Sequence, residues 1–148
     1  MKRMIGAFLM AVILLVSPIY AEDMSAEATL KYTSEDTFFI QIPETIIVGE
    51  TCQIEAVDLN IAPDKTVHVD VGMADDYIEI TSVNDSNNKL RVAFHNEDNE
   101  QLNAGNVSLA SFVKDGDTVK DFTTTVEDTT NAIAGDYTGN VTFYIYCE

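Results

Sequence analysis

The sequence has no tryptophan, only 2 histidines and 2 cysteines, and 8 basic residues against 25 acidic ones. Each shortage excludes something. A surface this poor in Lys and Arg cannot displace counterions from a phosphate polymer, so nucleic acid is excluded as a partner, and anionic lipid meets the same repulsion. His68 and His95 fall on the polar faces of expected strands, with no GxSxG, HExxH or Cys/His arrangement beside them. The chain is therefore expected not to be an enzyme. Neither cysteine lies in a CxxC or next to a His, which argues against a metal pair.

Charge is also missing from Met4 to Ala21, which follows the basic pair Lys2-Arg3. Ser17-Pro18 breaks that apolar run just before Ile19-Tyr20-Ala21, an acceptable cleavage site, so residues 1–21 are read as a signal peptide. The run is close to the shortest length that spans a bilayer, and Glu22-Asp23 follows it, so no stable membrane insertion is expected once the leader is removed. Losing Lys2 and Arg3 moves the formal charge from -17 to -19. Residues 22–29 read as a flexible lead-in and 30–148 as one domain, secreted or held at the cell surface by non-covalent contacts or assembly.

From Leu30 onward, short runs of Val, Ile, Phe, Tyr and Thr are divided by Gly, Asn and Asp, which is the pattern of an antiparallel β protein. Strands are expected over 38–42, 45–48, 52–57, 66–71, 77–83, 89–95, 107–113, 118–126 and 137–147. Two hairpins are expected, one turning at Asn84–Asn88 and one at Lys114-Asp115-Gly116-Asp117. The fold class predicted is all-β, an immunoglobulin-like antiparallel β-sandwich of about eight strands, with a β-barrel as the alternative. Cys52 shares a face with Ile54 and Ala56, and Cys147 with Val141, Phe143 and Ile145, so both sulfurs are expected to point inward. In an oxidising compartment an even pair is expected to bridge, and a Cys52–Cys147 disulfide would stabilise by roughly 4 to 5 kcal/mol in the chain-entropy account.

Two oxygen-rich clusters stand out. Asp115, Asp117 and Asp121 are the residue types that bind calcium, although turns use the same residues and the EF-hand spacing is absent. No other cofactor is implied. Asn96, Glu97, Asp98, Asn99 and Glu100 form a polar loop beside an expected sheet, where contact sites commonly lie. Asn84, Asn106 and Asn140 each begin an Asn-x-Ser/Thr acceptor.

Phe39-Ile40-Gln41-Ile42-Pro43-Glu44-Thr45-Ile46 and Ala134-Gly135-Asp136-Tyr137-Thr138-Gly139-Asn140-Val141-Thr142-Phe143 resemble the opening and closing strands of small secreted β-sandwich domains in Gram-positive bacterial surface proteins. The closing pattern is also similar to the last strand of spore-coat and pilus subunits. The resemblance implies a surface location and a role in binding or assembly. The expected function is a non-enzymatic binding module for an extracellular protein or glycan. The alternative is a structural subunit that joins copies of itself by strand addition, with Leu30–Ile42 as donor.

Overall fold

The computed structural model describes Glu35–Glu148. The expected signal peptide, the expected lead-in and Leu30–Ser34 lie outside the described residues. Nine strands follow: β1 (Thr37–Gln41), β2 (Thr51–Asn60), β3 (Thr66–Val71), β4 (Ile78–Ser82), β5 (Lys89–His95), β6 (Ser108–Val113), β7 (Val119–Val126), β8 (Tyr137–Thr138) and β9 (Phe143–Cys147). They build a six-stranded sheet in the order β1-β2-β7-β5-β4-β8 and a three-stranded sheet in the order β6-β3-β9. Every pairing is antiparallel. The fold is an all-β sandwich of two separate sheets, not the closed barrel held as the alternative.

Alternation explains which side chains meet between the sheets. In β3, Val67, Val69 and Val71 are buried while His68 and Asp70 face outward. Phe112 on β6 pairs with Val67, and across the core Phe122 on β7 stacks on Phe94 of β5 with centroids 6.2 Å apart. Ile54 on β2 and Leu102 from the loop after β5 complete a dry centre. Burying each of these large side chains stabilises the fold by roughly 1.5–3 kcal/mol.

The hairpin from β4 to β5 forms as its pattern predicts, with Ile78 opposite Val92 and Ile80 opposite Leu90. The second expected hairpin does not form. β6 pairs with β3 and β7 with β2 and β5, so Lys114–Asp117 is an arch that carries the chain from one sheet to the other. Asp115 takes φ of 62° there, and the Gly116 amide bonds the Val113 carbonyl at 3.1 Å. The expected last strand over 137–147 is broken in the same way, because β8 is the edge of the large sheet and β9 an edge of the small one. Gly139 marks the break: a Cβ there would lie 2.8 Å from Ile80 Cγ2 and 3.0 Å from the Glu79 carbonyl oxygen. Thr45–Val48 is not a strand but part of a crossing segment from β1 to β2.

The topology also corrects the expected disulfide. Cys52 and Cys147 are both half-buried against the core, as their parity implies, but both thiols are free. Cys52 opens β2 opposite Phe122, whereas Cys147 lies opposite Val67, where β3 begins just after β2 has ended. From Cys52 to Asn60 the strand runs about 26 Å at ~3.3 Å per residue, far beyond the span one disulfide bridges. The end near Cys147 is held instead by an ion pair, Lys65 Nζ to Asp36 Oδ2 at 3.0 Å, while the Ala62 amide donates to Asp36 Oδ1 at 2.9 Å. Lys65 holds the Asp36 carboxyl below its ordinary range, with the Ala62 amide adding to the effect.

Candidate functional site

Six strands face three, and the mismatch leaves part of the large sheet's inner surface open. A cleft of about 510 Å³ lies there. Its floor is Ile78 and Ile80 of β4, Val92 and Phe94 of β5, and Thr124 of β7. One wall is the crossing segment, through Ile42, Ile46 and Val48, and the other is Val141 with Phe143 at the start of β9. The β8–β9 link, Gly139 and Asn140, closes one side. The crossing segment is tied down where the Gly49 amide donates to the Thr124 carbonyl at 2.9 Å, with Gly49 at φ of 93°.

β9 is the second element of the site. It pairs with β3 on one side, and its other edge has no backbone partner among the described residues. Ile145 lies on the same face as Phe143 and Cys147, yet it is 37% exposed. An edge strand with unpaired amides and carbonyls beside an apolar floor is the geometry that takes up an extended chain. Tyr137 braces the rim. Its hydroxyl bonds the side-chain oxygen of Asn88 and accepts the Ile133 amide at 3.0 Å, holding β8 against the turn after β4.

The outer face of the small sheet is more polar. Tyr146 stacks on His68 with centroids 5.2 Å apart and donates its hydroxyl to Asp70 Oδ2 at 3.0 Å, while Tyr144 stands 60% exposed. The Asp70 carboxylate raises the Tyr146 hydroxyl above its ordinary pKa. His68 Nε2 lies 3.5 Å from Glu148.

The residues singled out from the sequence are brought together only in part. Asn96–Glu100 is a tight turn that uses its own oxygens: Asn96 Oδ1 accepts the Asp98 amide at 3.1 Å and the Glu100 amide at 2.9 Å, and Asn99 takes φ of 60°. Lys120 on β7 joins this turn to the Lys114–Asp117 arch, reaching Glu97 at 2.8 Å and Asp117 at 3.8 Å. Glu97, ahead of the other nearby acids, raises the Lys120 ammonium above its usual pKa. Asp121 instead accepts from Gln53 Nε2 at 2.9 Å, so Asp115, Asp117 and Asp121 do not converge, and no metal-holding group of His, Cys, Asp or Glu occurs among the described residues. Of the glycosylation acceptors, Asn84 and Asn106 are exposed in turns, while Asn140 lines the cleft.

The cleft itself was not legible in the sequence. Ile78, Ile80, Val92 and Phe94 all read as core residues; Val92 and Phe94 are buried, while Ile78 and Ile80 are left partly exposed, and alternation does not show how far a facing sheet covers them. No helix among the described residues is long and apolar enough to cross a membrane.

No family model matches the chain, and no curated protein matches it. Among solved structures, the fold is similar to one described by the words "Chaperone-tip adhesin complex is vital for synergistic activation of CFA/I fimbriae biogenesis". The likeness covers 73% of this chain and 40% of that one, at a TM-score of 0.46 and 11% identity. None of these comparisons supports the likeness to Gram-positive surface domains or to spore-coat subunits. The chain spans about two-fifths of that structure's length, 40%.

Proposed function

We propose that the protein is a non-enzymatic, exported binding module that takes an extended segment of a protein partner along β9, with the partner's apolar side chains entering the cleft. The observation that carries this reading is the coincidence of an unpaired strand edge with a cleft in which Ile78 and Ile80 stay only partly buried above the core residues Val92 and Phe94. Main-chain hydrogen bonds to β9 would supply affinity, and alternate side chains of the partner would supply selectivity. An extended protein segment suits this cleft because aliphatic side chains, Ile42, Ile46, Ile78, Ile80 and Val141, line it beside the free strand edge, with the polar groups Glu44, Thr45, Thr138 and Asn140 among its other lining residues. The leader read from residues 1–21 supports a role outside the cytoplasm.

Fluorescence anisotropy with short labelled peptides tests the reading. A peptide that alternates apolar and polar residues should bind, and one of the same composition with its apolar residues grouped should not. Ile80→Asp in the floor should remove the binding while circular dichroism still reports the sandwich. Equal binding of both peptides would contradict the proposal.

A further inference from the structure

We infer that the outer face of the small sheet is a second binding surface, where Tyr144, Tyr146 and Asp70 take an extended basic segment of a partner protein, with arginines at alternate positions. It stands independently of the cleft, because these tyrosines leave β9 on the opposite side from Phe143 and Ile145. Tyr144 lies opposite Asp70 on β3, and Tyr146 lies opposite His68. Both rings are held in place. A Cβ on Gly72 would lie 2.9 Å from Tyr144 Cε2, so the glycine makes room for that ring against the backbone. Tyr146 is fixed by its stack on His68 and its bond to Asp70 Oδ2. Tyr144 and Tyr146 are nevertheless 60% and 40% exposed, so their rings are open to a ligand.

Charge chooses the occupant. Strands β3, β6 and β9 contain no Lys or Arg, while Asp70 stands beside both tyrosines and Glu148 follows β9 directly. His68 Nε2 is turned toward Glu148. Asp70 has no ion-pair partner among the described residues, and its Oδ1 has no hydrogen-bond partner, so the neutral Tyr146 hydroxyl leaves its charge uncompensated. A guanidinium over the exposed rings would gain from the π faces and from the neighbouring carboxylate together. The protein makes such a contact internally, with Arg91 Cζ 4.3 Å from the centroid of the Tyr77 ring. Alternate side chains of an extended chain are about 6.8 Å apart, the repeat that also separates Tyr144 from Tyr146, so two arginines of one segment match the two rings. A second copy of this chain does not supply them. Among the described residues Lys65, Lys89 and Lys120 are held in ion pairs and Arg91 covers Tyr77, which leaves Lys114, and two bodies of formal charge -17 repel. Of the Leu30–Ile42 donor expected from the sequence, Thr37–Gln41 is already paired with β2 as β1.

Fluorescence anisotropy of the full chain with a labelled peptide of alternating arginine and serine tests the inference. The peptide should bind, and added salt should weaken it. Tyr144→Ala should weaken binding about two- to fivefold, the scale of one exposed cation–π contact, and Tyr144→Phe should restore it. Asp70→Asn keeps an acceptor for Tyr146 and should weaken binding about fivefold, the upper scale of an exposed ion pair. Asp58→Asn, exposed on β2, changes the net charge equally and should leave binding unaltered. Equal weakening by Asp58→Asn and Asp70→Asn would reduce the effect to general attraction and overturn the inference. So would full binding by Tyr144→Ala, or a neutral oligosaccharide that binds where the arginine peptide does not. An excess of the alternating apolar peptide proposed for the cleft should not displace the arginine peptide, and displacement would overturn a separate surface. If the apolar peptide fails to bind and the arginine peptide binds as described, the cleft reading falls and this one stands.

Discussion

Replacing Gly139 with alanine should destabilise the domain by about 1.5–3 kcal/mol, through a close approach that no side chain tolerates. The added Cβ would lie 2.8 Å from Ile80 Cγ2 and 3.0 Å from the Glu79 carbonyl oxygen. Neither neighbour yields easily. The Ile80 methyl hangs on a β-branched carbon with restricted χ1, and the carbonyl belongs to the backbone of β4. The chain at Gly139 must therefore lift off β4, where the β8 ladder consists of the pairs Thr81–Thr138 and Ser82–Tyr137. Losing about two ladder hydrogen bonds at ~0.5–1.5 kcal/mol each sets the same scale as the overpacking itself. At about 4 °C per kcal/mol for a domain of this size, the melting temperature should fall by roughly 6–12 °C. Urea denaturation gives the free energy. Hydrogen exchange locates it, because the Val83 amide, now bonded to the Asp136 carbonyl at 2.8 Å, should lose protection. Gly105→Ala is the control, since its Cβ would meet only the flexible Asn103 side chain at 3.3 Å. A Gly139→Ala chain as stable as the Gly105→Ala control would refute the reasoning.

Phe122 is 1% exposed and stacks on Phe94, so Phe122→Ala should cost about 3–5 kcal/mol in urea titration, whereas Tyr144→Ala on the open face should change stability by less than ~0.5 kcal/mol. Alkylation of the unreduced, denatured chain should label both Cys52 and Cys147; failure to label either would show that they bridge. Asp36 has a lowered folded-state pKa, set first by Lys65, so its contribution is present above its ordinary value of 3.8 and is lost as pH falls through the lowered one. Melting curves of Asp36→Asn should accordingly show a shallower loss of stability on the acid side than wild type, and parallel curves would count against the ion pair.

Much of the sandwich was legible from local pattern. Val67, Val69 and Val71 point inward because period-two alternation places them there, and the β4–β5 hairpin follows from two alternating runs with a polar turn between them. The Lys114–Asp117 segment carries the same turn residues and yet is an arch. Whether such a turn folds a strand back on itself or passes it to the facing sheet depends on what β6 and β7 find to pair with, and those partners, β3 and β2, lie far away in the chain. The disulfide was misjudged for the same reason: inward parity is local, while the level of a residue along the sandwich is not.

Taken by itself, the order of residues determined the strands, their inward faces and the acidic surface. Only the tertiary structure decided that β8 and β9 belong to different sheets, that the two thiols sit apart, and that three strands cover six. Side-chain periodicity is a property of neighbours along the chain, whereas a partly covered floor arises from the unequal widths of two sheets assembled from distant segments.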